Sequence, residues 1–124
     1  NKAASDKDYN EGLKFIVENL DYLALCAGTH NEDSSKYLAD LIVEHNIDKT
    51  DKRIYFAQLL GMSDHISYNL SDAGYQVAKY VPYGPIKEVM PYLLRRADEN
   101  TSVAGQTGRE LGLITKEMRR RKLK

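Results

Sequence analysis

Four side chains around residue 95 carry the chemistry this sequence offers most plainly. Tyr92, Arg95, Arg96 and Glu99 recur at i, i+3, i+4 and i+7. At about 100° per residue, they fit within about a third of a helix circumference. One stripe therefore offers a phenol, two guanidinium groups and a carboxylate. Guanidinium groups hold a carboxylate or phosphate in two-pronged fashion, and an aromatic ring packs on the apolar part of the same ligand. Tyr80, at the end of the preceding strand, can look at the same space. The same stripe also reads as a solvated helix face on which Glu99 pairs with Arg95 or Arg96, because exposed charged faces are common.

The stretch that must position these residues runs from Tyr80 to Asn100 and reads YVPYGPIKEVMPYLLRRADEN. Pro82, Gly84 and Pro85 punctuate a turn, and Pro85 suits the first helical turn, where its missing N–H costs least. Ile86, Met90, Leu93 and Ala97, with Val89 beside them, form an apolar face at helical spacing. A helix is predicted over Pro85–Glu99.

The rest of the chain alternates in kind. Asn1–Lys7 reads as a polar lead-in, and Asp6 or Asp8 can cap a helix over Tyr9–Leu20. Tyr22–Gly28 (YLALCAG) and Arg53–Leu60 (RIYFAQLL) read as buried strands, and Tyr75–Val81 as a third. Helices are predicted over Ser34–His45, with Leu38, Leu41 and Ile42 inward, and over Ser63–Asp72. Thr101–Gly108 reads as a loop, and a closing helix follows from about Arg109 to Arg121. Strands alternating with helices imply α/β architecture with a parallel sheet. Either a small open sheet or a portion of a (β/α)₈ barrel fits. A full barrel needs about 250 residues, and this chain has 124. We treat it as one domain.

In both architectures the ligand sits at the carboxyl ends of the strands. Those ends offer Thr29, His30 and Asn31, then Leu59 to Met62, then Tyr80 to Gly84. The arginine helix follows the last of them. All polar and aromatic candidates thus share one rim, whereas the opposite ends offer charged connectors such as Asp48–Lys52. Thr29, His30 and Asn31 can meet a ribose or phosphate with a hydroxyl, an imidazole and the first amides of the next helix, or Asn31 simply caps that helix.

Composition narrows the functional classes. Eighteen basic and 18 acidic side chains balance, so no global field calls for nucleic acid. The basic ending Arg119–Lys124 suits anionic lipid or RNA, or a solvated helix tail that favours the helix dipole. No apolar run is long enough to span a bilayer. The single cysteine, Cys26, forbids an intrachain disulfide and reads as a buried hydrophobe in mid-strand. His45 and His65 read as isolated surface residues. No metal-ligand spacing, GxGxxG or GxxxxGK[ST] is present.

GMSDHIS and KYVPYGPIKEVMPYLLRRADEN, with the earlier CAGTHN and RIYFAQLLGM, resemble the carboxyl-terminal part of the proline dehydrogenase family. The resemblance covers about Tyr9–Asn100. It implies a (β/α)₈ barrel that holds FAD, of which this chain would supply about the last three strand–helix units and a C-terminal helix. It also implies oxidation of L-proline to Δ1-pyrroline-5-carboxylate, with electrons passing to a membrane quinone. By the same resemblance Arg95 and Arg96 bind the proline carboxylate, Tyr80, Tyr92 and Leu59 wall its ring, and Glu99 supports the arginines. Thr29 and His30, with Asn31, lie by the FAD adenosine.

The family's earlier strands supply a lysine and an aspartate near the substrate and most flavin contacts, and these are absent here. The segment alone is therefore expected to be inactive, with open strand edges that favour self-association. The expected compartment is the cytoplasmic face of a bacterial inner membrane or the mitochondrial matrix. The alternative reading is a small α/β module that binds a carboxylate or phosphate without redox chemistry.

Overall fold

The elements of the chain, seen in a computed structural model, run α1 (Lys2–Glu18), β1 (Leu25–Gly28), α2 (Glu32–Glu44), β2 (Ile54–Leu59), α3 (Asp64–Asp72), β3 (Val77–Tyr80), α4 (Ile86–Ser102) and α5 (Gln106–Arg120). The backbone is described for residues 1–102 and 106–121, and the side chains of that span for all but 99–102, 106–110, 113 and 114. The chain divides into two units, Asn1–Val81 and Pro82–Lys124.

In the first unit the three strands pair in parallel in the order β1-β2-β3. Leu25 stands opposite Ile54 and Ala27 opposite Phe56, and Phe56 is opposite Val77. These residues face the helices. Leu13 and Val17 of α1 and Leu38, Leu41 and Ile42 of α2 join Leu25, Ala27, Ile54 and Phe56 in one buried core. The three α2 residues sit at the i, i+3, i+4 spacing that lines one helix face. Tyr75 meets Phe56 edge-on at 5.4 Å between ring centroids.

Within the first unit, helices cover one face of the sheet. β2 alternates strictly, with Ile54, Phe56 and Gln58 buried and Tyr55, Ala57 and Leu59 half-buried. The strands expected to be buried are thus half-covered, and Cys26, expected inside, is exposed beside Gly28. The period of two puts Cys26 on the face away from Leu25 and Ala27. The three-stranded parallel sheet is consistent with part of a barrel, whose inner face this would be.

The expected lead-in at Asn1–Lys7 is helical instead. Nothing in Lys2–Asp8 breaks a helix, and Ala3 and Ala4 favour one. Asn1, not Asp6 or Asp8, is the cap, and its Oδ1 accepts from the Ala4 amide at 3.4 Å. His65 is half-buried, with Nε2 3.8 Å from Glu32 Oε2, so it is not the isolated surface residue expected.

In the second unit α4 continues to Ser102 and α5 begins at Gln106, so most of the loop expected at Thr101–Gly108 is helical. Residues 103–105 of that loop lie outside the described residues. Gly84 enters α4 with φ +152°, and a Cβ there would meet Val89 Cγ2 at 3.2 Å. That crowding and the positive φ explain the glycine.

The entrance to β2 is tied at the end opposite the candidate rim. Asp51 Oδ2 accepts from Arg53 Nη2 at 2.6 Å, and Arg53 Nη1 donates to Leu20 O at 3.1 Å. Hydrogen bonds from the Arg53 side chain and amide hold the Asp51 carboxyl at about 2, below its ordinary 3.8. A carboxylate of lowered pKa stabilises the fold above its unfolded value, and that contribution is lost as pH falls through the folded one. Asp51→Asn is expected to lower the melting temperature at pH 7. The gap to the parent should close as pH drops from about 4 to about 2, as thermal melts across that range will test.

Candidate functional site

The candidates fall into two groups, one in each unit. The first gathers at the carboxyl ends of the strands, because parallel pairing sends every strand-to-helix turn to the same end. Leu59 and Tyr80 are register partners at the tips of β2 and β3. The Leu60 amide donates to Tyr80 O at 3.0 Å and extends the pairing by one residue. Tyr80 is 55% exposed, on the open side of the sheet, and Leu59 is half-buried on the same side.

Thr29, His30 and Asn31 follow β1 directly. The Thr29 amide donates to Ala57 O at 3.2 Å, and Thr29 Oγ1 accepts from the Asn31 amide at 3.0 Å. Asn31 caps α2, its Oδ1 accepting from the amides of Asp33 at 3.0 Å and Ser34 at 3.4 Å. Those two amides are therefore taken. Glu32 and Asp33 in the first turn of α2 add negative charge. A phosphate is disfavoured there, because like charges repel at a helix end whose dipole is already complemented. A neutral sugar or base suits the Thr29 hydroxyl and His30 imidazole better.

His30 is held from across the rim. Its Nδ1 lies 3.0 Å from Ser63 Oγ. Ser63 opens α3 with φ +50° and makes no side-chain cap bond, so its hydroxyl serves His30 and not the helix. Gly61, two residues earlier, has φ +76°. Beneath the rim lies a residue that the sequence reading passed over. Gln58 is 2% exposed. Its Nε2 donates to Thr29 O at 3.3 Å, and its Oε1 accepts from Ser67 Oγ at 2.9 Å. One buried amide thus joins the exit of β1 to β2 and α3. The signal for it was a polar residue at an inward position of RIYFAQLL, where Ile54 and Phe56 set the period.

The second group lies on α4. The Arg96 guanidinium carbon sits 5.4 Å from the centroid of the Tyr92 ring, within cation–π range. Arg96 and Tyr92 are half-buried and Arg95 is exposed. The structure thus brings Tyr92 and Arg96 together, as their i, i+4 spacing requires. The Glu99 side chain lies outside the described residues. Pro91 sits inside α4 immediately before Tyr92. Having no N–H, it cannot donate to the carbonyl four residues back, which weakens the helix ladder at that point.

Among the described residues no group of three His, Cys, Asp or Glu side chains could hold a metal ion. None of the described helices is long and apolar enough to cross a membrane.

The proline dehydrogenase family model matches residues 1–109. Over 121 residues the chain is 43% identical to mitochondrial proline dehydrogenase 1 of Bos taurus, covering 95% of this chain and 20% of that protein. The Homo sapiens protein of the same name is 44% identical over 121 residues, with 95% and 20% covered. Hydroxyproline dehydrogenase of Bos taurus is 40% identical over 124 residues, covering 97% of this chain and 27% of that protein. Among solved structures, proline utilization A (PutA) from Bdellovibrio bacteriovorus, inactivated by N-propargylglycine, aligns with a TM-score of 0.75 and 33% identity. That alignment covers 84% of this chain and 11% of the other. The chain spans about a fifth of the length of the proline dehydrogenases it matches.

Gln58→Leu keeps the volume and removes both hydrogen bonds. It is expected to destabilise the fold by about 1–3 kcal/mol, the cost of leaving the part-buried Thr29 carbonyl without its donor. Urea unfolding with an unchanged m-value checks this, and a variant as stable as the parent would show that Gln58 holds nothing.

Proposed function

The chain belongs to the proline dehydrogenase family, and we propose that it is a carboxyl-terminal piece, as one domain, of a flavin-dependent enzyme that oxidises L-proline to Δ1-pyrroline-5-carboxylate. The observation that carries this reading is the span of the family match, residues 1–109, which takes in every candidate from Thr29 to Glu99. When bound, FAD supplies the two-electron acceptor for oxidising the amine to the imine.

The residues of this chain divide the remaining work. Arg95 and Arg96 clamp the proline carboxylate and so fix the orientation of the ring. Stacking against the Tyr92 ring restricts the Arg96 guanidinium before any ligand arrives. Tyr92, Tyr80 and Leu59 form apolar walls for the pyrrolidine ring, and Glu99 supports the arginines. Thr29, His30 and Asn31 lie beside the FAD adenosine. The acidic, capped start of α2 supports adenosine at that point and argues against the pyrophosphate.

A membrane quinone takes the electrons onward. Relatives named mitochondrial favour the mitochondrial matrix over the bacterial cytoplasm as the compartment. Three strands do not close an eight-stranded barrel, so the segment alone is inactive and its two edge strands favour self-association.

The test is proline-dependent dye reduction by the full-length protein that contains this segment, with flavin absorbance on the same sample. Arg96→Ala is expected to raise the KM for proline about tenfold to over a hundredfold, the worth of a charge-assisted pair. An unchanged KM would remove Arg96 from the clamp. Turnover of hydroxyproline in preference to proline would place the enzyme with its hydroxyproline dehydrogenase relatives instead.

A further inference from the structure

Lys79 stands on the helix-facing side of β3, directly opposite Gln58 in the register. The corresponding positions deeper in the sheet are Phe56 and Val77. An apolar residue would continue that layer, and a lysine withdrawn from water is costly unless its charge is met. The Lys79 side chain is only 22% exposed. Its Nζ lies 2.7 Å from Asp64 Oδ1, and donates to Met62 O at 2.8 Å and Leu59 O at 3.4 Å. All three partners belong to one six-residue segment, Leu59–Asp64.

That segment is the part of the rim with the least ordinary backbone. Gly61 and Ser63 both have positive φ, at 76° and 50°. For serine this conformation is uncommon and needs support from its surroundings. At one end of the segment Leu59 presents its side chain to the open face. At the other, Ser63 reaches His30. A single ammonium group therefore gathers the segment between a residue of the first candidate group and the hydroxyl that holds another.

We propose that Lys79 is a positioning residue for the rim. It fixes the 59–64 segment so that Leu59 walls the substrate ring and Ser63 orients His30, without touching a ligand itself. The kinetic part of this inference rests on the proline dehydrogenase reading. The His30 part does not.

The experiment uses the full-length protein with Lys79→Met and Lys79→Arg. Lys79→Met is expected to raise the KM for proline about five- to tenfold and to weaken flavin retention, with kcat changed by less than about twofold, as for lost binding that ground and transition states share. Lys79→Arg, which keeps a charge for Asp64 and a donor for the carbonyls, should recover most of the loss. A Lys79→Met enzyme that melts lower but keeps the parent KM and flavin affinity overturns the assignment, since the lysine is then only structural. If that variant fails to fold, Asp64→Ala replaces it, with a KM rise of about two- to threefold expected from the loss of one of three partners. An unchanged KM there overturns the assignment too. The ring-nitrogen chemical shifts of His30 read the same brace without substrate. They should move in Lys79→Met, and unchanged shifts overturn the assignment even if the parent protein proves not to oxidise proline, the result that would overturn the proposed function.

Discussion

Parallel pairing is the constraint on which the first unit depends. A parallel strand cannot return by a tight hairpin, so β1 reaches β2 through α2 and β2 reaches β3 through α3. Every turn that leaves a strand then falls at the same end, and every turn that enters one at the other. This separates the molecule's tasks. The entering turns can be stiff and charged, as the Asp51–Arg53 pair illustrates. The leaving turns collect hydroxyls, an imidazole and an aromatic ring on one rim.

The helix side of the sheet changes character along its length for the same reason. Ile54 and Phe56 are ordinary core, but the next inward position is Gln58, with Lys79 opposite. Leaving turns carry backbone groups that no strand pairs, and buried groups of that kind need partners. A glutamine and a lysine meet that need. The rim is therefore supported from below by a polar layer, and apolar packing begins one residue pair deeper.

Much of this was legible in the sequence because it rests on period and punctuation. The apolar runs in YLALCAG and RIYFAQLL mark strands, and the spacing of Leu38, Leu41 and Ile42 reports one buried helix face. The stripe of Tyr92 and Arg96 followed from helical spacing in the same way. What was not legible depends on contacts distant in sequence. Nothing near Ser63 announces that its hydroxyl will serve His30, 33 residues away, instead of its own helix. Cys26 was misplaced because a short apolar run does not say whether one face or both are covered. The start of α1 was missed because polar residues without a breaker are as compatible with a helix as with a tail.

The uncovered face of the sheet gives the lone thiol of the chain an unplanned use. Cys26 is exposed there, paired in register with Tyr55, and no second cysteine competes with it. A thiol reacts only when reagent can reach it. Cys26 is thus a built-in gauge of occupancy: its alkylation rate reports whether anything, from further strands to a second copy of the segment, has come to lie against that face.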